Sequence, residues 1–327
     1  MEYANLGRTG LKVSRIALGS WLTFGKSVAD DETRKCVYTA VENGINFIDT
    51  ADIYNIGEAE TSLGKVIADF PRHSLVIASK AFFPMTVDDK NNRGLSRKHL
   101  SESIDKTLSR LGTDYLDIYQ CHRPDFYNKT PIEETVSTMD MLIKQGKILY
   151  WGVSCWTAAQ ITEAVYLAKL MNCQPPVSNQ PHYSLFYRKI EKEVMPTCER
   201  LGLSQIVFSP LEQGILTGKY NKEVPKDSRF ANDQINTFMH DRMTEENLNK
   251  VRELEKLALE VGVSCSQLAL AFTLRKKNVA SAIVGVSKDS QLLDNIKAIE
   301  IDYTEELSDK VEAIFANKPE PKTHGCM

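Results

Sequence analysis

Residues 74–122 read SLVIASKAFFPMTVDDKNNRGLSRKHLSESIDKTLSRLGTDYLDIYQCH. Two short apolar runs, Ser74–Lys80 and Asp114–His122, flank one amphipathic stretch. Within that stretch Ser96 suits an N-cap, Leu100, Ile104, Leu108 and Leu111 form one apolar stripe, and Gly112 can close the helix. Strands that are apolar almost throughout, each followed by a helix, predict a parallel sheet covered by helices.

The same kind of run recurs along the chain as RIALGS (15–20), NFIDTADIY (46–54), ILYWGVSC (148–155), PVSNQPHY (176–183), SQIVFSPL (204–211) and ASAIVGV (280–286). With the first two these make eight strands, and helical patterns stand between them at 31–44, 132–147 and 157–171. Eight strand–helix units predict closure into a (β/α)8 TIM barrel, and the 327 residues are expected to form one domain, 1–327. The opening LGRTGLKVS, with Thr9-Gly10 between extended segments, predicts a hairpin that plugs the bottom of the barrel. Residues 214–243 show little periodicity and are expected to form a long loop that covers a ligand. Two helices, over 290–300 and 304–318, should follow the last strand, and the tail PEPKTHGCM should fray.

A net charge of −3 with both signs mixed leaves no electrostatic footprint for nucleic acid or an anionic membrane, so a small metabolite is the expected partner. The seven cysteines contain no C-x-x-C pair, the chain opens with no charged-then-apolar segment, and no apolar run approaches the length of a bilayer span. These features predict reduced thiols in a cytoplasmic protein. No H-E-x-x-H or comparable histidine spacing supports a metal site.

Four polar side chains, Asp49, Tyr54, Lys80 and His122, stand where apolar runs end. In a barrel of this kind the chemistry collects at the carboxyl ends of the strands. A tyrosine hydroxyl with an ordinary pKa of about 10 is a reluctant acid and needs a cationic neighbour. Lys80 would favour the phenolate, since unit charges about 4 Å apart interact by about 4 kcal/mol at an effective dielectric of 20. Asp49 can hold Lys80 protonated, and His122 can donate to a carbonyl oxygen as charge develops there. The set suits protonation of an oxyanion and supplies no obvious nucleophile, so reduction by hydride from an organic cofactor completes it. Taken singly, Asp49 with Lys80 reads equally well as a structural ion pair, and Tyr54 as a packing residue. A Cys121–His122 thiol dyad is disfavoured, because neighbouring strand residues point to opposite faces.

The stretches LGRTGLKVSRIALGSW (6–21), FIDTADIYNIGEAETSLGKVI (47–67), GLSRKHL (94–100), LSRLGTDYLDIYQCHRPD (108–125), YWGVSCWTAAQI (150–161) and FSPLEQGILTGKY (208–220) together resemble the aldo-keto reductases, most closely their potassium-channel β-subunit branch. The resemblance covers nearly the whole chain and implies that Asp49, Tyr54, Lys80 and His122 are the catalytic tetrad, with Tyr54 as the acid. It also implies NADPH, bound extended across the barrel mouth, which fits the absence of a G-x-G-x-x-G after any strand. By that similarity Ser20, Trp21 and Asp49 lie near the cofactor. Ser154, Cys155 and Gln180 would hold its carboxamide, and Phe208 stands at the nicotinamide platform. Ser209, Pro210, Leu211, Gln213, Gly214 and Lys219 would strap its pyrophosphate. Arg229, Gly285, Ser287 and Gln291 would meet the adenosine phosphate, and Asp294 and Asn295 the adenine. Two positions depart from the branch: Cys155 replaces a usual arginine, and His122 stands where asparagine is common. The implied activity is reduction of an aldehyde or ketone. The alternatives are a cofactor-sensing regulatory subunit with a channel partner or homo-oligomer, and a metal-dependent barrel hydrolase.

Overall fold

The computed structural model describes residues 1–21, 24–25, 30–86, 88–226, 228–231, 236 and 242–315. An antiparallel hairpin, β1 (Tyr3–Asn5) and β2 (Lys12–Ser14), precedes eight parallel strands. These are β3 (Ile16–Gly19), β4 (Phe47–Asp49), β5 (Val76–Ala81), β6 (Leu116–Cys121), β7 (Ile148–Ser154), β8 (Ser178–Gln180), β9 (Ser204–Val207) and β10 (Val279–Val284). They close in sequence order, with β10 pairing β3, so every expected strand lies in one TIM barrel. Three expected runs end three or more residues early: β4 stops at Asp49, leaving Tyr54 in a short 3-10 turn over Tyr54–Gly57, β8 stops at Gln180 and β9 stops at Val207.

The described helices are α1 (Asp30–Glu42), α2 (Glu58–Ile67), α3 (Arg97–Leu111), α4 (Ile132–Lys144), α5 (Ala158–Leu170), α6 (Val194–Leu201), α7 (Glu245–Glu260), α8 (Cys265–Leu274), α9 (Asp289–Ile296) and α10 (Glu305–Phe315). The α3 boundaries follow the expected chemistry: Ser96 Oγ accepts from His99 N, and Gly112 closes the helix at φ 64°. None of the described helices alone is long and apolar enough to cross a membrane. The expected frayed tail lies outside the described residues, as do His240 and Cys326.

Two apolar layers set the barrel. One lies between strands and helices and includes Ile48, Ile77, Leu100, Ile104, Cys121 and Trp151, all fully buried. The other fills the lower interior with Ala17, Phe47, Val76, Ala78, Ile118, Ile206 and Ala280, and the hairpin residues Leu6 and Val13 complete it from below. Gly7 lets the hairpin dock there: its φ is +56°, and a Cβ would lie 2.5 Å from Val177 O. The hairpin thus plugs the bottom as expected, and the upper interior is left to polar side chains.

The segment expected to clasp a ligand falls partly on residues outside the described set (227, 232–235 and 237–241), but both of its described ends are anchored. Glu212, fully buried just before the clasp, pairs with His182 Nε2 at 2.8 Å and with Arg242 near the clasp's far end. Ser184 donates to the same carboxylate. His182 in turn stacks between Tyr187 (4.3 Å, 9°) and Phe208 (5.3 Å, 18°). Burial works to raise the Glu212 pKa, yet His182 and Arg242 outweigh it and hold the carboxyl at about 2. A folded value below the ordinary 4.5 means that ionised Glu212 contributes stability above the unfolded pKa, and that this is lost as pH falls toward 2. Glu212→Gln is expected to lower stability at pH 7 by about 3 kcal/mol. Urea titrations between pH 7 and pH 3 should show the gap to wild type shrinking once the pH passes below 4.5. A gap independent of pH would contradict the pairing.

Candidate active site

The upper interior of the barrel is built from the last inward positions of several strands. Lys80 on β5 is fully buried, and its Nζ donates to Asp49 Oδ1 (2.6 Å), Thr50 O (2.7 Å) and Tyr54 OH (3.3 Å). The other Asp49 oxygen accepts from Gln180 Nε2 (2.8 Å) and Gln120 Nε2 (3.3 Å). At the end of β3, Ser20 Oγ donates to Thr50 Oγ1 at 2.8 Å. The His122 ring stands edge-on to Tyr54, with centroids 5.7 Å apart. Tyr54, Lys80 and Asp49 are therefore one connected network with His122 against its acidic end.

The environment fixes the protonation states. Burial raises the Tyr54 pKa, and Lys80 opposes that shift without cancelling it, so the resting side chain is a neutral phenol. This amends the expectation that Lys80 would favour the phenolate outright: the cation lowers the cost of giving up the proton, while desolvation keeps it in place. Burial also acts against the Lys80 charge, but Asp49 and Tyr54 outweigh it and the amine titrates above its ordinary value. Burial, then Lys80 and Arg123, push His122 well below its usual range. It is a neutral imidazole, able to donate one hydrogen bond, and its buried Nδ1 has no partner among the described residues. Cys121 points away into the layer between strands and helices, where burial raises its thiol pKa, so no Cys–His dyad forms.

The residues expected around a cofactor fall into neighbouring groups. Ser154 Oγ donates to Gln180 O at 2.7 Å, and Cys155, at φ 57°, donates its N–H to the same oxygen. Beyond β9, Phe208 is bridged to His182, and Ser209, Glu212, Gln213 and Gly214 all take positive φ. Left-handed conformations at three residues other than glycine are costly, and such clusters mark ligand loops. Gln213 Nε2 donates to Ser209 Oγ (3.0 Å) and its Oε1 accepts from Arg229. The Lys219 stem lies over Gly214, where a Cβ would come within 3.0 Å of Cε. Pro210 and Leu211 connect this turn to Phe208.

The Arg229 guanidinium sits 5.8 Å from the Trp21 ring, and Trp21 O would lie 4.0 Å from a Cβ on Gly285. Trp21 thereby stands between Arg229 and the turn before α9, where Ser287 N donates to Gln291 Oε1. Asp294 is turned toward α8, accepting from Ser264 Oγ (2.9 Å) and Gln267 Nε2 (2.7 Å), and the neighbouring Asn295 is buried. That tie to the α8 cap is a structural role the sequence did not announce. Among the described residues no group of three or more histidine, cysteine or acidic side chains could hold a metal.

Sequence reasoning missed Gln120, Thr50, Arg123 and Glu212. Gln120 was within reach, since it lies two residues before His122 and shares its face of β6. Thr50 acts through its carbonyl, which no residue type signals, and Glu212 depends on contacts from far along the chain.

The aldo/keto reductase family profile matches residues 15–316. A probable voltage-gated potassium channel subunit beta from Oryza sativa subsp. japonica is 40% identical over 325 residues, covering 98% of each chain. The protein of the same name from Arabidopsis thaliana is equally similar over the same span. A putative voltage-gated potassium channel subunit beta from Schizosaccharomyces pombe is 41% identical over 323 residues, covering 96% of this chain and 93% of that one. Aldo/keto reductases generally use NAD(P)H, and the match supports oxidoreductase chemistry of that type. With a closed eight-stranded barrel and a profile match over nearly its whole length, this chain belongs to the aldo/keto reductase family.

Proposed function

We propose that the chain is an NADPH-dependent carbonyl reductase of the cytoplasm, working as a single barrel domain, in which Tyr54 protonates the oxygen of an aldehyde or ketone. The observation that carries this reading is the short path from Asp49 through Lys80 Nζ to Tyr54 OH, with the two steps spanning 2.6 and 3.3 Å. A neutral phenol beside a buried ammonium can release a proton as negative charge grows on an acceptor held against it. His122 donates a second hydrogen bond to the same oxygen and fixes its orientation. NADPH, when bound, supplies hydride to the carbonyl carbon. Ser154 and Gln180 suit a carboxamide, Phe208 offers a ring face, and the positive-φ turn at Ser209–Gly214, with Lys219 beside it, suits a strap over the pyrophosphate. Arg229 offers a planar fork of donors for the additional phosphate that distinguishes NADPH from NADH.

A second reading is favoured by the names of the similar proteins: a cofactor-sensing subunit that assembles with a channel, or with copies of itself, and turns over slowly. Single-turnover kinetics separate the two, since a sensor would reduce a bound aldehyde far more slowly than a metabolic reductase.

Tyr54→Phe removes only the donated proton and should lower kcat by at least about a hundredfold while leaving NADPH affinity nearly unchanged. Near wild-type turnover in the mutant would reject Tyr54 as the acid. Arg229→Ala is expected to weaken NADPH binding by about 1.5–3 kcal/mol, the range for a hydrogen bond to a charged group, and to change NADH binding little. Fluorescence titration of both proteins with both cofactors checks it, and equal losses would move Arg229 away from the phosphate.

A further inference from the structure

Two loops rise beside the tetrad, one after β5 and one after β6, and both are aromatic. Phe82 packs against Tyr127 (5.0 Å, 15°) and Phe126 (4.9 Å), and Phe83 meets the His122 ring edge-on at 5.0 Å. The Asp125 carboxylate ties the loops into one wall, accepting from the backbone N–H groups of Leu95, Tyr127 and Asn128 at 2.8–3.1 Å. Gly94 N also donates to Phe82 O at 2.7 Å. Phe126 is about half exposed, so the wall keeps an open apolar face.

Arg123 stands at the foot of this wall. Its guanidinium carbon lies 5.6 Å from the Phe83 centroid, and Nη1 donates to His122 O (2.6 Å) and Ser154 Oγ (3.4 Å). Its Nε is buried and has no hydrogen-bond partner among the described residues. Several half-buried arginines in the barrel meet acids, Arg72 pairing with Asp117, Arg110 with Glu60 and Arg188 with Glu191, whereas Arg15 and Arg229 rest on neutral acceptors. No described carboxylate lies within ion-pair distance of Arg123. The charge is felt by the chemistry nonetheless: it adds to the burial and the Lys80 charge that push His122 down, and it opposes in small part the upward pull of burial on Tyr54. An incompletely paired guanidinium beside a catalytic imidazole is costly to keep unless something supplies the missing negative charge.

We propose that Arg123 seats an anionic group of the substrate, and that the substrate is an aromatic aldehyde or ketone carrying a carboxylate, its ring held against Phe83. The substrate class rests on the reductase reading; the anion seat stands on the geometry of Arg123. Phe83 touches both the His122 ring and the Arg123 guanidinium, at 5.0 and 5.6 Å, so a flat ring laid along it with its carbonyl oxygen at Tyr54 and His122 would direct a carboxylate toward the guanidinium, where charge-assisted hydrogen bonds await it. Arg93, stacked over Tyr127 at 5.1 Å, adds positive charge farther along the same wall. The competing explanation is that Arg123 only braces the His122 carbonyl. In that case charged and neutral substrates would suffer alike from its removal.

The test compares 4-carboxybenzaldehyde with methyl 4-formylbenzoate, which share ring and carbonyl and differ in charge, using NADPH and the full chain. The wild-type ratio of kcat/KM, acid over ester, should be at least about ten, and Arg123→Met should lower that ratio at least about tenfold, with Arg123→Lys intermediate. A wild-type ratio near one, or an equal loss on both substrates, overturns the proposal and leaves the reductase reading intact. Calorimetric titration of the protein with benzoate and with benzamide, in the presence of NADP+, gives an arm independent of turnover. If neither aldehyde is reduced, the reductase reading fails. Benzoate binding that exceeds benzamide binding and is lost in Arg123→Met then still supports the seat, and indifference to charge overturns it.

Discussion

Everything at the mouth of the barrel depends on one buried ion pair, Lys80 with Asp49, at 2.6 Å and almost without solvent contact. Taking two charges out of water costs several kcal/mol per ion, and attraction repays this only when the remaining donors and acceptors are also satisfied. Here they are. Thr50 O and Tyr54 OH take up the ammonium, and Gln120 and Gln180 fill the second carboxylate oxygen. The partners come from β4, β5, β6 and β8 and from the turn after β4, so the pair has its full set of hydrogen bonds only when these strands stand around one interior. The longest of these links is Gln180 to Asp49, which spans 131 residues of sequence.

Burial and charge oppose each other at Tyr54, and their balance defines the resting state. Were Lys80 to win outright, the site would hold a phenolate with nothing to donate; were burial unopposed, the proton would be too firmly held. The raised but tempered pKa leaves a neutral acid beside a cation. Next to it His122 is also neutral, so the carbonyl oxygen would meet two uncharged donors with one positive charge behind them. Such an arrangement responds most strongly to charge that develops during reaction, because its dipoles need not reorganise.

The sequence made the barrel legible through its apolar runs, since buried parallel strands carry an apolar signature whatever surrounds them. All eight strands, the hairpin, α3, and the placing of Asp49, Lys80 and His122 at or next to strand ends could be anticipated in this way. What escaped has physical reasons. Helix α8 is buried on every side, so CSQLALAFTL shows no stripe and could pass for a strand. Tyr54 is carried by the turn after β4 rather than by the strand itself, since the paired register ends at Asp49 and the chain turns at Ala51–Tyr54. The Glu212–His182–Arg242 cluster joins residues from three distant places and has no local pattern at all. The cofactor residues came from resemblance to a family, not from periodicity, and several of them, such as Ser287 and Gln291, are exposed groups with no signal of their own.

The hairpin at the floor has a consequence for traffic. With Leu6 and Val13 fully buried against Phe47, Ile118 and Ile206, the barrel is sealed at one end, and the polar side chains above can be approached only from the other. Any two molecules that meet at Tyr54 must use the same doorway. Each then obstructs the departure of the other simply by being present, so their comings and goings are linked by geometry alone, without any change in the shape of the protein.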